Sequence, residues 1–207
     1  MSRCFLNIAN ALTIIRLCIS PFFLLVYLKP DFLHLSTHHL PYVLLALWAI
    51  SELSDAFDGY LARRYNQVTE LGKILDPMAD SIAHTTVFLA FTQAPVNLPI
   101  PLLFIFLYRD SVVSTLRTIC ALKGFALAAR TSGKIKAVIQ ALAAFFILLL
   151  MIPHATGLLS QEKLQFTSTW IVIGAALYTI YSGVDYIYAN WTYIARMLTP
   201  QNPAQTK

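Results

Sequence analysis

The sequence predicts an all-α membrane protein, a bundle of six transmembrane helices in a single domain. The chain of 207 residues has a mean hydropathy of +0.64 and is 57% hydrophobic. Charged residues make up 12% of it, against roughly 25% in a typical soluble domain. Apolar stretches of about 20 residues, the length that crosses a bilayer, recur along the whole chain with short connections between them.

Six such segments leave no room for a separate soluble domain, so residues 1–207 are expected to form one domain. The segments are 7–28, 40–62, 74–94, 97–121, 134–153 and 168–195. The first contains Arg16 and Pro21 and has no small-residue cleavage site after a short apolar core. We therefore expect it to stay as the first helix rather than to be removed as a signal peptide.

Lysine and arginine are distributed unevenly between the connections. Lys29 and Lys163 are the two that lie in the connections after the first, third and fifth segments. The other connections and the tails hold a larger set: Arg3, Arg63, Arg64, Lys73, Lys123, Arg130, Arg196 and Lys207. The positive-inside rule then predicts that both termini face the cytoplasm. The net charge of +5 suits anionic lipid or phosphate, and no nucleic-acid-binding motif is present.

Six of the ten acidic residues lie between residues 52 and 80, where the second and third segments meet: Glu52, Asp55, Asp58, Glu70, Asp76 and Asp80. On a helix, Asp55 and Asp58 share a face because they are three residues apart. Asp76 and Asp80 share one because they are four apart. Two helices with a short link are expected to be antiparallel neighbours, so the four aspartates should converge. Pro77 fits if the third helix begins near Asp76, because proline suits the first turn.

Four carboxylates in a low-dielectric site repel one another and need positive charge between them. Carboxylate oxygens with no His or Cys beside them favour Mg²⁺ or Mn²⁺ over zinc. The pattern predicts a pair of divalent cations, which commonly holds a phosphoryl group during in-line displacement. Small residues such as Gly59, Ala62 and Gly72 would let a nucleotide diphosphate approach the helix backbones, and Arg63 would offer its guanidinium to the phosphates.

The acidic stretch also fits a salt-bridge cluster or an ion-transport site. In the first case the acids would pair with Arg63, Arg64 and Lys73, although ionisable residues inside a membrane are by default functional. In the second case a divalent-cation transporter would place carboxylates in a helix bundle. Its ions need a path across the bilayer, however, whereas these acids gather near one face beside basic residues.

The stretch from Asp55 to Asp80 resembles the signature of the CDP-alcohol phosphatidyltransferases. The shared positions are Asp55, Asp58, Gly59, Ala62, Arg63, Gly72, Asp76 and Asp80. The resemblance implies a six-helix membrane enzyme that moves a phosphatidyl group from CDP-diacylglycerol to an alcohol and releases CMP. It also implies that the four aspartates surround two divalent cations and that Asp80 doubles as general base. The residues implied at the CDP-donor site are Gly59, Ala62, Arg63 and Gly72, with Asn10 and Thr13 of the first segment.

Three further stretches, NIANALTIIRLCISPFF, LYRDSVVSTLR and GKIK, resemble the bacterial phosphatidylglycerophosphate synthases, a branch that uses glycerol 3-phosphate as acceptor. We interpret four basic residues as a pocket for the acceptor's phosphate: Arg109, Arg117, Lys134 and Lys136. The lysines could equally belong to the basic cytoplasmic surface. An inositol phosphate is the alternative acceptor, and serine fits a basic pocket less well. The branch implies a homodimer in the bacterial cytoplasmic membrane, with its active site on the cytoplasmic side.

Two residues outside the signature have open roles. His84 follows Asp80 by one helical turn, so it could either touch the site or occupy a packed position. Asp185 lies among aromatic residues of the last segment, where we expect it to pair with a basic neighbour.

Overall fold

Seven α-helices and one short 3-10 helix form the part of the chain that the computed structural model describes, residues 8–64, 70–122 and 130–198, and no β-strand occurs in this part. Side chains within these ranges are described except at 8–11, 56, 58–64, 70–75, 121–122, 193 and 196–198. The long helices are α1 Ile8–Leu28, α2 Leu40–Arg64, α3 Glu70–Phe91, α4 Ile100–Leu122, α5 Thr131–Ala155 and α6 Gln161–Ala189. The short helix α7, Trp191–Leu198, follows α6. The predicted all-α class with six long helices is confirmed.

The start of α3 differs from the prediction. This helix begins at Glu70 rather than near Asp76, so Pro77 lies inside it and not in its first turn. Proline has no N–H to donate to the carbonyl four residues earlier, which costs the helix one hydrogen bond. The preceding residues, ELGKIL, are mostly strong helix formers, and they extend the helix past this defect.

The last predicted segment, 168–195, is wrong as one continuous helix, because α6 ends at Ala189 and Asn190 separates it from α7. The Asn190 side-chain amide donates to the carbonyl oxygen of Tyr186 at 2.8 Å. Short polar side chains that bond nearby backbone groups compete with helix continuation. At its other end α6 begins earlier than predicted, where the Ser160 hydroxyl accepts a hydrogen bond from the backbone N–H of Lys163 at 3.4 Å and caps the helix.

Helix α1 holds together the two helices that carry the acidic stretch. It packs along both α2 and α3, whereas the described residues of α2 and α3 touch each other at few positions. Helix α5 packs against α6 and α2, and α4 packs against α6. In the described part of the two helices, α2 and α3 are therefore joined mainly through α1, and their pairing next to the link stays a prediction.

Buried side chains divide along the helix axes into an apolar end and a polar end. The apolar end is built from residues such as Phe23, Tyr27, Leu44, Trp48, Phe88, Phe91, Ile147 and Leu148. Most of the buried polar or charged side chains lie toward the other end of the same helices and of α6: Thr13, Arg16, Ser51, Ser54, His84, Lys136, Gln140, Thr179 and Ser182. Buried polar groups are costly unless they are partnered. The polar end, which also carries the acidic stretch, is therefore the candidate site.

Two of the described helices, Thr131–Ala155 and Gln161–Ala189, are long and apolar enough to cross a membrane by length and composition, and a shorter apolar stretch covers Leu12–Leu28. The outer surface carries large apolar side chains, among them Phe104, Trp170 and Leu177, each more than half exposed. Six spanning helices remain a prediction.

Candidate active site

Three of the four signature aspartates have described side chains, and all three lie at the polar end of the bundle. Asp55 on α2 has a side chain that is 48% exposed. Asp76 and Asp80, one turn apart on α3, are both partly buried. The other predicted residues of the acidic site and the donor site have their backbones in α1, α2 or α3, but their side chains lie outside the described ones: Asn10, Asp58, Gly59, Ala62, Arg63 and Gly72.

Helix α1 supplies a partner to the first aspartate of each pair. The Thr13 hydroxyl donates to Oδ1 of Asp76 at 3.0 Å, and Nη1 of Arg16 lies 2.5 Å from Oδ1 of Asp55. Thr13 and Arg16 are one turn apart, and both are buried. The charge of Arg16 also interacts with those of Glu52 and Asp80. One face of α1 therefore organises carboxylates from both α2 and α3.

The last aspartate contacts a buried histidine. Nδ1 of His84 lies 3.2 Å from Oδ1 of Asp80 and 3.1 Å from the backbone carbonyl oxygen of the same residue. Nε2 of His84 lies 3.5 Å from Oε1 of Glu52 on α2. The imidazole also meets the Trp48 ring edge-to-face, with centroids 5.4 Å apart. Of the two roles that the sequence left open for His84, the structure supports contact with the site.

The described carboxylates suit a divalent cation by ligand type, since their oxygens are the hard donors that Mg²⁺ and Mn²⁺ prefer. Among the described side chains, no group of three His, Cys, Asp or Glu residues is close enough to hold a metal ion. Asp55, Asp76 and Asp80 instead contact Arg16, Thr13 and His84. The fourth predicted ligand, Asp58, lies outside the described side chains.

Two of the predicted acceptor residues meet at one carboxylate, in a group we call the Asp110 cluster: Arg109, Asp110, Lys136 and Ser182. Nζ of Lys136 donates to both Asp110 oxygens, at 2.9 and 2.7 Å. Nη1 of Arg109 donates to Oδ1 of Asp110 at 3.0 Å, and its Nη2 donates to the Ser182 hydroxyl at 2.6 Å. The Lys136 side chain is 4% exposed and that of Asp110 is 12% exposed. Two cations and one anion leave this buried cluster with one excess positive charge.

Two glycines let the helices close around Arg109. A Cβ atom at Gly183 of α6 would lie 3.2 Å from Cγ of Arg109, and one at Gly133 of α5 would lie 3.4 Å from Nη2 of Arg109. A larger residue at Gly183 would therefore require the Arg109 stem to shift by a few tenths of an ångström, so glycine there allows α6 to approach Arg109 closely.

The other two predicted acceptor residues lie apart from the Asp110 cluster. The Arg117 guanidinium sits over the Tyr186 ring, 5.4 Å from its centroid, and its Nε has no hydrogen-bond partner among the described residues. Lys134 is exposed near the start of α5. Within the described part of the chain, two of the four basic residues thus share one carboxylate and the other two are separate cations.

Asp185 pairs with a basic neighbour, as predicted. Its Oδ2 lies 3.0 Å from Nε of Arg130 and accepts a hydrogen bond from the Ser132 hydroxyl at 2.6 Å. These residues, with Tyr178 and Tyr181, line an open cleft of about 420 Å³ between α5 and α6. The start of α5 is therefore held to α6 by an ion pair from Arg130, the residue before the helix, and by a hydrogen bond from Ser132 in its first turn.

The acidic site and the Asp110 cluster lie close together. Asp80 on α3 and Lys136 on α5 carry opposite charges on two helices that touch each other, so each charge favours the ionised form of the other. The polar end of the bundle thus joins an acidic region on α2 and α3 to a basic region on α4 and α5.

A sequence model of the family described as CDP-alcohol phosphatidyltransferase matches residues 6–187. The chain belongs to this family. The match runs from α1 into the last turn of α6 and includes all four signature aspartates. The resemblance inferred from the spacing of Asp55, Asp58, Asp76 and Asp80 is therefore confirmed, and the protein is an enzyme of the phosphatidyltransferase kind.

Curated relatives of this phosphatidyltransferase are similar over most of their length. One from Bacillus subtilis (strain 168), named CDP-diacylglycerol--glycerol-3-phosphate 3-phosphatidyltransferase, is 31% identical over 191 residues, which is 89% of this chain and 95% of that protein. A relative from Rickettsia typhi with the same name is 32% identical over 90% of this chain and 98% of that protein. Another of that name, from Escherichia coli (strain K12), is 31% identical over 69% of this chain and 76% of that protein.

Three charged residues of the candidate site were not predicted from the sequence as part of it: Arg16, Glu52 and Asp110. A signal existed for each. Arg16 is a charged residue inside an apolar segment, which is itself a mark of function. Asp110 directly follows Arg109, so a neutralising role could have been expected. Glu52 is the first of the clustered acids, three residues before Asp55.

Proposed function

We propose that this phosphatidyltransferase moves the phosphatidyl group of CDP-diacylglycerol to glycerol 3-phosphate, giving phosphatidylglycerol phosphate and CMP in phospholipid biosynthesis. The observation that carries the acceptor assignment is the Asp110 cluster, a buried group with one excess positive charge whose Lys136 interacts with Asp80. The phosphate of an acceptor bound beside Asp80 could then contact a positively charged side chain of the Asp110 cluster. The names of the three relatives support the same acceptor.

The donor half of the reaction uses the acidic region. Asp55, Asp58, Asp76 and Asp80 are the residues that would hold two divalent cations, Mg²⁺ or Mn²⁺. When bound, these ions supply positive charge to the diphosphate of the donor. Thr13 and Arg16 fix the carboxylates of Asp76 and Asp55 in advance, so fewer side chains must reorganise when the donor binds. We place the cytidine diphosphate beside Asn10, Gly59, Ala62, Arg63 and Gly72.

The acceptor half of the reaction needs a base and a phosphate site. Asp80 would take the proton from the acceptor hydroxyl as that oxygen attacks the phosphorus atom next to the diacylglycerol. The bond from this phosphorus to the oxygen shared with the cytidine phosphate breaks, and CMP leaves. Arg109 and Lys136 would hold the acceptor phosphate near Asp80, and Arg117 and Lys134 would add charge from outside the cluster.

The setting proposed for this chemistry is a bilayer. Helices α5 and α6 have the length and apolar composition of membrane spans, and the apolar outer surface favours six spanning helices, with both termini and the active site on the cytoplasmic side of a bacterial inner membrane. Diacylglycerol chains could then remain in lipid while the head group reacts. A homodimer is part of the same proposal, and cross-linking of the purified protein tests it.

An acceptor panel tests the proposed function. Purified protein is given CDP-diacylglycerol, Mg²⁺ or Mn²⁺, and one of glycerol 3-phosphate, inositol phosphate, serine or glycerol, and CMP release is measured. We expect glycerol 3-phosphate to give the highest kcat/KM. A preference for inositol phosphate would keep the phosphate site but change the acceptor. Equal rates with glycerol or serine would overturn the acceptor assignment. Ion flux in liposomes without CMP release would favour a transporter.

A further inference from the structure

We propose that His84 is a positioning residue for Asp80, and that Glu52 in turn orients His84. This inference rests on the proposed function, in which Asp80 is the general base. His84 is outside the family signature, yet its imidazole lies between the helix that begins the signature and the helix that ends it. Its side chain is 5% exposed, whereas those of Asp80 and Glu52 are 35% and 36% exposed.

The contacts of His84 fix the direction of its hydrogen bond to Asp80. Nδ1 faces two oxygens of the same residue, the carboxylate Oδ1 at 3.2 Å and the backbone carbonyl at 3.1 Å. A carbonyl oxygen can only accept, and an ionised carboxylate can only accept. Nδ1 must therefore carry the hydrogen and donate it, which assigns Nδ1–H as the proton position toward Asp80.

Packing alone would not produce this arrangement. Edge-to-face contact with Trp48 fills the space on one side of the ring, and any flat side chain could make it. The imidazole instead turns one nitrogen toward each carboxylate, on two different helices. Nε2 lies 3.5 Å from Oε1 of Glu52, and this contact can orient the ring when a hydrogen lies between the two atoms.

The consequence for catalysis concerns which oxygen of Asp80 is available. His84 Nδ1–H bonds the backbone carbonyl of Asp80 and lies 3.2 Å from Oδ1 of its carboxylate. This contact restricts rotation of the carboxylate and directs Oδ2 toward the acceptor's proton. A base held by a third group loses fewer orientations when the substrate binds. Because the described residues of α2 and α3 touch at few positions, the Glu52–His84–Asp80 link also helps to set the register of the two helices at the site.

Two amide substitutions separate positioning from packing. In His84→Asn the amide nitrogen stands near the place of Nδ1 and can still donate to Asp80. In His84→Gln it stands near the place of Nε2 and reaches toward Glu52 instead. We expect His84→Asn to keep the larger part of kcat and His84→Gln to lose about tenfold or more, the scale of one charge-assisted hydrogen bond. The KM for CDP-diacylglycerol should be unchanged in both variants.

The matched control is His154→Gln. His154 lies in the last turn of α5, away from the polar end of the bundle, and its imidazole contacts the carbonyl oxygen of Leu159. This variant should keep its kcat. An equal loss of kcat in His84→Asn and His84→Gln, or a larger loss in His84→Asn, would overturn the inference. The position of the hydrogen-bond donor would then have no effect on kcat, and His84 would act only by filling space.

A second measurement needs no metal and no turnover. Thermal unfolding in EDTA is compared for His84→Gln, Asp80→Ala and the double variant. A direct contact predicts non-additive shifts in Tm, with a coupling of about 2–4 °C, and additive shifts would overturn the inference even if wild-type CMP release is normal. If the Tm shifts are coupled but the wild type releases no CMP with any acceptor, the contact between His84 and Asp80 stands. The proposed function is then overturned, and with it the catalytic part of this inference. If another acceptor is preferred, the kcat comparison is made with that acceptor.

Discussion

Arg16 and Asp55 form an ion pair, Nη1 to Oδ1 at 2.5 Å, between α1 and the first aspartate of the signature. The Arg16 side chain is 2% exposed and that of Asp55 is 48% exposed, so the cation is fixed inside the bundle while the carboxylate stays accessible. The same guanidinium interacts with Glu52 and Asp80. A buried positive charge among these acids lowers their mutual repulsion before any substrate binds.

The first prediction is that Arg16→Met destabilises the protein. Breaking a fully buried ion pair costs about 3–5 kcal/mol, and because Asp55 is half exposed we expect about 1–2 kcal/mol. For a chain of this size that lowers Tm in detergent by roughly 2–8 °C. Arg16→Lys keeps the charge and should recover part of the loss. Ser20→Ala is the control, since the Ser20 hydroxyl donates to the carbonyl oxygen of Arg16 within the same helix. Wild-type unfolding of Arg16→Met would show that the pair contributes no stability.

The second prediction concerns the proposed cation ligands. Asp55→Asn, Asp58→Asn and Asp76→Asn should each nearly abolish CMP release while the protein still inserts and purifies, because each removes a charge needed at the donor diphosphate. EDTA should stop turnover of the wild type, and added Mg²⁺ or Mn²⁺ should restore it. Wild-type rates in any one of the three variants at limiting metal would refute a site of two cations.

A third prediction separates the two roles of Asp80. Asp80→Asn should lower kcat much more than it changes the apparent affinity for CDP-diacylglycerol, because a general base acts only as the transition state forms. Donor affinity is measured by equilibrium binding with metal present. Loss of donor binding together with the rate would mean that Asp80 is chiefly a ligand and that the base lies elsewhere.

Much of this arrangement could be predicted because it depends on local pattern. Apolar segments of membrane-spanning length located six helices to within a few residues at most ends, and the spacing of Asp55, Asp58, Asp76 and Asp80 was sufficient to identify the family. Such features follow from helix periodicity and length, which a single sequence displays directly.

What could not be predicted depends on which helix packs against which. The sequence around Thr13 and Arg16 does not indicate which residues they contact. Their partners, Asp76 on α3 and Asp55 on α2, depend on the packing of α1 against both helices. The break at Asn190 depends on a side chain bonding to its own helix, and the continuation of α3 past Pro77 on a balance of small propensities. The partial neutralisation of Arg109 and Lys136 by Asp110 likewise depends on the Lys136 side chain of α5 reaching Asp110 on α4.

The last prediction compares Lys136 with Lys134, two residues apart on α5 with opposite environments. Lys136 is buried and bonded to Asp110, whereas Lys134 is exposed and makes no side-chain ion pair within the described part of the chain. Lys136→Met should lower Tm and also raise the KM for glycerol 3-phosphate, because it removes one of the two cations that contact Asp110. Lys134→Met should leave Tm unchanged.

Kinetics decide whether the exposed cations bind the acceptor. A charge-assisted contact to phosphate contributes about 1.5–3 kcal/mol, roughly ten- to a hundredfold in affinity. Lys134→Met and Arg117→Met should therefore raise the KM for glycerol 3-phosphate by that factor and leave the dependence on CDP-diacylglycerol nearly constant. Glycerol has no phosphate, so it should be a poor acceptor for the wild type and lose nothing further in these variants. If Lys134→Met changes only the amount of inserted protein and none of its kinetics, Lys134 sets membrane orientation, and the acceptor phosphate is held by the Asp110 cluster without it.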